Sequence, residues 1–415
     1  MRLARFRRPA LAACSTVFAL LVAACGSSST TGGGSTATVP SDLSVSSFTA
    51  DFSYMPKLND LVKAGHGQIG VVLPDTTTST RYVAYDLPFL KQALDGAGYS
   101  SSDYTIQNAQ GTSTTELAIA QADISKGATV LIVDPIDSPT GQAIQAYAQS
   151  HGVKMISYDR ATFTGSNTYY VSFDNVQVGK LIGEGFIKCV TSWGVKNPNV
   201  YELDGGRDTD PNAVSFAQGY NQAIWGDNTV PQQAGKTNGQ GMKLVNESFA
   251  AGWDNTKGGA TFQQAFTGNR SINATVEAND GLGNAVVNVL KNSGVKPNTI
   301  PTTGQDATAQ GLENVLLGWQ CGTVYKPIYL EAQDAVALAT VLRAGQTPPG
   351  ALLNGQTSPP SGQSGNTQPA SLLTPVWVDT TNMAGTVIKD KFVDAATICQ
   401  AVTAAVCQKY NIPTS

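Results

Sequence analysis

Charged residues are scarce in this sequence. Only 13% of the 415 residues are Asp, Glu, Lys or Arg, and the formal net charge is −4, whereas ordinary domains carry about 25% charged residues. Outside the first eight residues there is no basic patch, which argues against a phosphate-backbone partner such as nucleic acid. A low-charge chain rich in Gly and Thr favours an extracytoplasmic protein.

Signals for catalysis, metal binding and nucleotide binding are also weak. The two histidines, His66 and His151, are not placed for a Ser-His-Asp arrangement. With two histidines and no C-x-x-C pair, we expect no metal site and no cofactor. Residues 204–207 (DGGR) lack the G-x-G-x-x-G pattern and a P-loop lysine, so they are weak evidence for a nucleotide site.

The N-terminus reads as a targeting segment followed by a linker. Four arginines precede an apolar stretch at 11–22, which is short for a membrane span and fits a signal peptide. Residues 21–26 (LVAACG) resemble a bacterial lipobox, which makes Cys25 the expected lipidation site; the alternative is an ordinary signal peptide with a chance cysteine. We therefore predict a signal peptide over 1–24, and a lipidated Cys with a flexible tether over 25–65.

Four cysteines lie beyond this segment: Cys189, Cys321, Cys399 and Cys407. An even number in an oxidising compartment predicts disulfides, and four cysteines allow three pairings, between which the sequence does not choose. In one continuous helix Cys399 and Cys407 would lie about 12 Å apart, beyond the reach of a disulfide. Either the helix breaks between them or they pair elsewhere.

From residue 67 onward, short apolar runs alternate with helical stretches. The first predicted strands are 68–73, 104–107, 128–133, 153–157 and 169–172, and the helices between them are 82–97, 113–126 and 140–149. The alternation restarts after Asp174 or Asn175, either of which is a good N-cap. The later predicted strands are 200–203, 243–246, 271–276, a segment near 301–304, and 322–325. This pattern predicts an α/β fold of two Rossmann-like lobes with parallel sheets.

The last quarter of the chain is predicted to return to the first lobe. A long helix runs from Pro327 to Arg343, residues 346–370 have the composition of a surface loop, and 372–378 is a last strand before a helical remainder. We assign 66–172 and 327–374 to the N-terminal lobe. The C-terminal lobe takes 173–326 and 375–415.

Polar residues recur just after the predicted strands, where open α/β sheets bind their ligands. They are Asp75, Arg81, Asp159, Arg160, residues 204–212, Asn279, Asp280, Gln305, Asp306 and Lys326. Asp, Asn and Arg side chains hold two hydroxyls at once, and Tyr82 and Trp253 offer flat faces for the C–H surface of a sugar. The set predicts a sugar site, although any single carboxylate could be a helix cap. A carboxylate pair for glycoside cleavage stays open as an alternative.

Seven motifs occur in a characteristic order. They are 158–160 (YDR), 172–175 with 178–179 (SFDN, VG), 279–280 (ND), 304–307 (GQDA), 323–327 (TVYKP), 372–375 (LLTP) and 386–390 (TVIKD). Together they resemble the xylose-binding and other monosaccharide-binding proteins of bacterial ABC importers, over about residues 67–395. The resemblance implies two lobes joined by three hinge crossings that close on one sugar. Four late cysteines and the tail after Phe392 depart from the family pattern.

The resemblance also implies particular ligand-binding residues. They are Arg81, Tyr82, Asp159, Arg160, Asn212, Trp253, Asn279, Asp306 and Lys326. Tyr82 and Trp253 would stack on opposite faces of the sugar. Residues 210–213 (DPNA) are similar to the family's Asp-Asn-Asn-Ala pattern, with Pro211 in place of one Asn. The Thr/Ser-rich first loop is nearer to glucose- and galactose-binding relatives, whereas 325–327 (YKP) favours xylose.

The expected function is therefore capture of one monosaccharide, with D-xylose the first candidate, and its delivery to ABC permease subunits. We expect a monomer, lipid-anchored to the outer face of the cytoplasmic membrane, with no catalytic residues. The alternatives are another aldose (glucose, galactose or arabinose), a chemosensory sugar receptor and, in a different class, a secreted sugar-processing enzyme. A sugar-responsive repressor is opposed by the signal, the tether and the lack of a basic DNA-binding headpiece.

Overall fold

The computed structural model describes residues 37–166 and 168–414, in which strands and helices alternate. The strands are β1 (Gln68–Leu73), β2 (Tyr104–Asn108), β3 (Ala128–Val133), β4 (Lys154–Tyr158), β5 (Thr168–Phe173), β6 (Asn199–Asp204), β7 (Lys243–Phe249), β8 (Ala274–Glu277), β9 (Thr323–Tyr325), β10 (Gly355–Thr357), β11 (Gln368–Leu373) and β12 (Val376–Val378). The helices are α1 (Asn59–Ala64), α2 (Leu87–Ala97), α3 (Ser113–Ser125), α4 (Ser138–Ser150), α5 (Asn175–Ser192), α6 (Pro211–Trp225), α7 (Asn255–Gly268), α8 (Asp280–Asn292), α9 (Ala309–Leu316), α10 (Ile328–Arg343), α11 (Ala395–Val402) and α12 (Ala404–Lys409). The predicted signal peptide, Cys25 and residues 26–36 of the tether lie outside the described residues.

The first lobe is built on a seven-stranded sheet with the order β10-β11-β5-β4-β3-β1-β2. Its neighbouring strands are parallel except for the antiparallel pair β10 and β11. Alternate residues of β3 pack in two separate groups of buried side chains. Val130 and Ile132 pack with α2 and α10, whereas Leu131 and Val133 pack with α3 and α4. Both faces of the sheet are therefore covered, which explains why its strands read as continuous apolar runs.

The second lobe contains a parallel sheet with the order β7-β6-β8 and an antiparallel pair of β12 and β9. Helices α5 and α6 lie in close contact because glycine stands on both of them. A Cβ on Gly179 would lie 2.0 Å from the carbonyl oxygen of Phe216, and one on Gly219 would lie 2.2 Å from that of Val176. This close approach fixes the position of α6, whose first turn carries part of the site described below.

The chain passes between the lobes at three places: after β5, after β9, and between β11 and β12. At the first crossing, the Asp174 side chain accepts a hydrogen bond from Gln177 N at 3.0 Å and caps α5. Its backbone N–H donates to Leu373 O of the third crossing at 3.3 Å. The architecture is the predicted α/β arrangement of two lobes.

Residues 45–64 differ from the flexible tether predicted over 25–65. Short 3₁₀ turns form at Val45–Ser47 and Met55–Leu58, followed by α1. Buried side chains of residues 43–61 join the core of the first lobe beside α2 and α10; they include Leu43, Phe48, Phe52, Tyr54, Met55, Leu58 and Leu61. Burying each such side chain contributes about 1.5–3 kcal/mol to the free energy of folding. This segment therefore folds, although it contains no long apolar run from which a folded segment could be predicted.

Two predicted strands also differ in the structure. Residues 301–304 are buried but form no strand ladder. Side-chain hydrogen bonds join Glu277 and Thr303 instead: Glu277 N donates to Thr303 Oγ1 at 2.8 Å and Thr303 N donates to Glu277 Oε2 at 2.7 Å. The single strand predicted at 372–378 divides at Pro375, which has no N–H to donate, into β11 and β12. The predicted loop 346–370 contains β10 and the start of β11.

The four late cysteines form two disulfides. Cys189–Cys321 joins α5 to the turn before β9, and Cys399–Cys407 joins α11 to α12. The second pair is reached because the helix breaks at Thr403, whose φ is 93°, and this brings the two Cα atoms to 5.7 Å. The remainder after β12 is therefore only partly helical. Within residues 37–166 and 168–414, no helix is both long and apolar enough to cross a membrane.

Candidate binding site between the lobes

One cavity is lined by residues of both lobes that follow strand ends. It encloses about 350 Å³ of space, including the part open to solvent. Its lining residues are Thr78, Ser79, Arg81, Tyr82, Asp159, Arg160, Asp210, Asn212, Phe216, Trp253, Asn279, Gln305, Asp306 and Lys326. All nine predicted ligand-binding residues lie here, and their roles in binding stay predictions.

Asp159 is held in an unusual backbone conformation at the end of β4. Its φ is 57°, in the left-handed region that few residues other than glycine adopt. Its carbonyl oxygen accepts hydrogen bonds from Tyr170 Oη at 2.6 Å and from Asn212 Nδ2 at 2.7 Å. Because Asn212 lies on α6, this second bond joins the two lobes directly.

Arg81 mainly positions Asp159. Its guanidinium makes four hydrogen bonds: two to Asp86 at 2.8 Å, one to Glu331 at 2.9 Å and one to Asp159 at 2.7 Å. A guanidinium has five N–H donors, so little capacity is left for a ligand. Burial disfavours the charge of Asp159, but the charges of Arg81 and then Lys326 outweigh it and lower its pKa. The carboxylate is therefore ionised and fixed in place at neutral pH.

Arg160 crosses the cavity towards the second lobe. Its Nη2 donates to Tyr82 Oη at 2.7 Å, and its Nη1 donates to the carbonyl oxygens of Pro135 and Ile136 at 3.3 and 3.1 Å. Its Nε lies 3.4 Å from Asp210 Oδ2. Arg160 thus orients the Tyr82 ring and forms an ion pair between the lobes.

The aromatic part of the wall is formed by Trp253 and Phe216, whose ring centroids are 6.3 Å apart in an edge-on arrangement. Trp253 Nε1 donates to Asp210 Oδ2 at 3.1 Å. A Cβ on Gly205 would lie 2.1 Å from the Trp253 ring, so the absence of a side chain at Gly205 makes room for the indole. The glycines of 204–207 therefore serve Trp253 packing, and Arg207 pairs with Asp204 at 3.0 Å.

The remaining wall comes from the second lobe and the second crossing. Asn279 Oδ1 accepts from Leu282 N at 2.9 Å and caps α8, which leaves its amide nitrogen for a ligand. Lys326 Nζ lies 3.0 Å from Asp306 Oδ1 and 3.8 Å from Asp159 Oδ1. Within the described residues, Gln305 Oε1 and Asp306 Oδ1 are buried and accept no hydrogen bond. Unpartnered buried acceptors are costly, and a ligand that donates to them relieves that cost.

Five lining residues were not among the nine predicted: Thr78, Ser79, Asp210, Phe216 and Gln305. Asp210 and Gln305 were among the polar residues that follow predicted strands, and this position could have identified them as lining residues. Phe216 lies four residues after Asn212 on α6 and so on the same helix face. Nothing in the Thr/Ser-rich loop distinguishes Thr78 and Ser79 from their neighbours.

The six charged residues that line the cavity, three basic and three acidic, lie in three ion pairs. The pairs are Arg81 with Asp159 at 2.7 Å, Arg160 with Asp210 at 3.4 Å, and Lys326 with Asp306 at 3.0 Å. Burial raises the pKa of Asp210, and the nearby charge of Arg160 opposes that rise. Burial lowers the pKa of Lys326, but Asp306 and Asp159 raise it overall. A wall of paired charges, neutral in sum, offers donors and acceptors to an uncharged polar ligand.

A periplasmic binding protein domain family matches residues 69–347. The chain belongs to the periplasmic binding protein family. A D-xylose-binding periplasmic protein of Escherichia coli (strain K12) is 30% identical over 290 residues, covering 69% of this chain and 80% of that protein. A multiple sugar-binding periplasmic protein of Azospirillum brasilense is 30% identical over 331 residues, covering 77% of this chain and 88% of that protein.

Solved structures of periplasmic binding proteins show the same fold. A carbohydrate transporter solute binding protein from Chloroflexus aurantiacus, in complex with D-glucose, has a TM-score of 0.66 at 25% identity and covers 79% of this chain and 97% of that chain. A solute binding protein from Clostridium phytofermentans with bound β-D-glucose has a TM-score of 0.68 at 23% identity, covers 80% of this chain and 99% of that chain, and supports the fold alone. The motif resemblance and the two-lobe fold class are confirmed. The chain is a binding protein, not an enzyme, as expected.

Proposed function

We propose that this periplasmic binding protein captures one uncharged monosaccharide in the cavity between its lobes and delivers it to an ABC importer. The observation that carries the proposal is the combination of three ion pairs in the wall with the buried acceptor Gln305 Oε1, which accepts no hydrogen bond within the described residues. Sugar hydroxyls donate to such acceptors, and the Trp253 and Tyr82 rings suit the C–H faces of a sugar ring. An anionic ligand would add charge to a wall that is already balanced.

Binding and closure are linked in this proposal. Arg160 and Asp159 belong to the first lobe, whereas Asp210, Asn279 and Asp306 belong to the second. A sugar that contacts both sets has more partners when the lobes are together, so it shifts the equilibrium towards the closed state by its differential affinity.

D-xylose is the first candidate ligand. The motifs at 304–307 and 323–327 and the name of the E. coli relative support it. D-glucose is the second candidate, because the C. aurantiacus structure holds that hexose at 25% identity. The two sugars differ by one CH₂OH group, so a comparison of their affinities tests whether the site accepts that group.

The test is thermal unfolding of the protein lacking residues 1–25 against a panel of pentoses and hexoses, followed by isothermal titration calorimetry. A ligand that binds only the folded protein raises the unfolding midpoint by mass action. A shift with D-xylose alone supports the full proposal, and a shift with D-glucose or L-arabinose corrects the sugar. If no monosaccharide shifts the midpoint, the proposal fails. Sugar that is recovered unchanged after incubation supports binding without conversion.

We further propose an extracytoplasmic monomer anchored through lipid on Cys25. Metabolic labelling with a fatty-acid analogue should mark the wild-type chain, while the Cys25→Ser variant should stay unlabelled and leave the membrane fraction. Light scattering during gel filtration should give the mass of one chain. Stimulation of ATP hydrolysis by a reconstituted permease in the presence of sugar would support transport, whereas binding to a chemoreceptor alone would support the sensor alternative.

A further inference from the structure

Asp134 is a buried carboxylate outside the predicted site. It follows β3 and is fully buried. Neither of its side-chain oxygens accepts a hydrogen bond within the described residues. Its nearest cation is Arg160, whose Nε lies 3.7 Å from Asp134 Oδ1. By contrast, the nearby buried Glu116 accepts hydrogen bonds from Ile136 N at 3.0 and 3.2 Å, so an unbonded carboxylate is not general in this part of the lobe.

Arg160 therefore lies between two carboxylates on different lobes. Asp134 is on the same lobe as Arg160, at 3.7 Å, and Asp210 is on the other lobe, at 3.4 Å. The contact with Asp210 exists only while the lobes are together. Next to it, Ser138 N donates to Thr209 O at 3.1 Å, which also joins the two lobes. When the lobes separate, both contacts break and Arg160 keeps Asp134 as its nearby acidic partner.

We propose that Asp134 is a positioning residue that pairs with Arg160 when the lobes are apart, and that Arg160 exchanges Asp134 for Asp210 as they close. This inference rests on lobe closure in the proposed function, but it does not depend on which sugar is bound. It accounts for a buried carboxylate that accepts no hydrogen bond in the closed arrangement, where Arg160 Nε lies closer to Asp210 than to Asp134, at 3.4 against 3.7 Å.

The energetics agree with this exchange. A buried carboxylate without a hydrogen-bonded partner is unfavourable as an anion. Burial, and next the charge of Asp159, raises the pKa of Asp134 well above its usual value, while the charge of Arg160 lowers it. Closing therefore weakens the Asp134 interaction in order to form the one with Asp210. By pairing with Arg160, Asp134 stabilises the open state relative to the closed state.

The test uses Asp134→Asn, which keeps the shape and removes the charge. Because neither oxygen accepts a hydrogen bond in the closed arrangement, the substitution should disturb that state little. Asp334→Asn is the matched control. Asp334 is also fully buried in the first lobe, and among the described residues its Oδ1 accepts no hydrogen bond and its side chain is bonded to Ser371 alone, with no ion pair. Small-angle X-ray scattering without sugar measures the open and closed populations, and titration calorimetry with D-xylose measures apparent affinity.

We expect Asp134→Asn to be more compact than the wild type without sugar and to bind D-xylose about three- to tenfold more tightly, because apparent affinity scales with the populated fraction of the competent state. Asp210→Asn should be less compact, and Asp334→Asn should match the wild type. In an Arg160→Gln background, Asp134→Asn should no longer change compactness. If Asp134→Asn is unchanged or more open while correctly folded by circular dichroism, the inference is wrong. Scattering needs no ligand, so failure of D-xylose to bind would count against the proposed sugar and not against this exchange.

Discussion

Asp306 provides the sharpest test of the binding site. Its Oδ1 lies 3.0 Å from Lys326 Nζ, yet it accepts no hydrogen bond within the described residues. The backbone φ at this position is 93°, a conformation that Asn tolerates better than most residues. Asp306→Asn therefore removes the charge with little backbone strain.

The expected magnitude follows from the number of acceptors. A carboxylate can bond Lys326 and a sugar hydroxyl with separate oxygens, whereas an amide has one oxygen for both. One charged hydrogen bond is lost, which is worth about 1.5–3 kcal/mol, or about 10- to 150-fold in Kd. Lys326 retains Asp159 at 3.8 Å, so its charge is not left without a partner.

The assay is titration calorimetry with the sugar that gives the largest thermal shift. Asp254→Asn is the control, because Asp254 does not line the cavity and caps α7 through Lys257 N at 3.0 Å, and Asn is an equally good cap. It should bind like the wild type. A folded Asp306→Asn protein that binds within twofold of the wild type would show that Asp306 does not contact the sugar.

Three further predictions concern stability and packing. Replacing Cys189 and Cys321 by Ser should lower the free energy of unfolding by about 5 kcal/mol in the chain-entropy treatment, because they are 132 residues apart; urea unfolding that shows no loss would contradict this. Burial raises the pKa of Glu277 to about 8 against its hydrogen bonds from Thr275 and Thr303. The folded chain therefore holds a proton that the unfolded chain loses near its usual pKa of about 4.3. Between about pH 4.5 and 8 this group should lower stability by up to about 1.4 kcal/mol per pH unit. Glu277→Gln should remove that contribution and make the profile less steep, while buried groups such as Glu116 and Asp334 keep theirs; an unaltered slope would exclude Glu277. Gly205→Ala should displace Trp253 and weaken sugar binding, whereas Gly239→Ala, where a Cβ meets nothing within 4 Å, should have no effect; equal binding by both variants would remove Trp253 from the site.

Periodicity and strand ends predicted the fold well because the first sheet is buried on both faces. The prediction for β3 had the bounds that the structure shows, since five of its six residues are buried. The strand prediction was wrong where side-chain hydrogen bonds replace backbone pairing, as at Thr303, and where one proline divides two strands, as at Pro375. Neither effect changes the hydropathy pattern from which strands were predicted.

The residues that line the cavity could be predicted from the sequence because most of them follow strands. Which of them bond to other protein groups, and which stay available to a ligand, could not be predicted. Arg81 was predicted as a ligand-binding residue, and the structure shows its donors engaged by Asp86, Glu331 and Asp159. These partners lie up to 250 positions away along the chain. A sequence motif identifies which residue stands at a position, whereas its partners depend on how distant segments meet.

The difference between residues that bond to protein groups and residues that do not predicts which lobe supplies the binding free energy. First-lobe groups such as Arg81, Arg160 and Tyr82 are bonded to protein partners already, so a sugar that bonds them only exchanges one partner for another. Within the described residues Gln305 Oε1 accepts no hydrogen bond, and Asp306 Oδ1 has only the ion pair with Lys326 at 3.0 Å, so a sugar hydroxyl bonded to these oxygens adds a hydrogen bond without breaking one. The second lobe should therefore supply most of the net binding free energy, and the first lobe should supply the rigid geometry that selects which hydroxyls reach those acceptors.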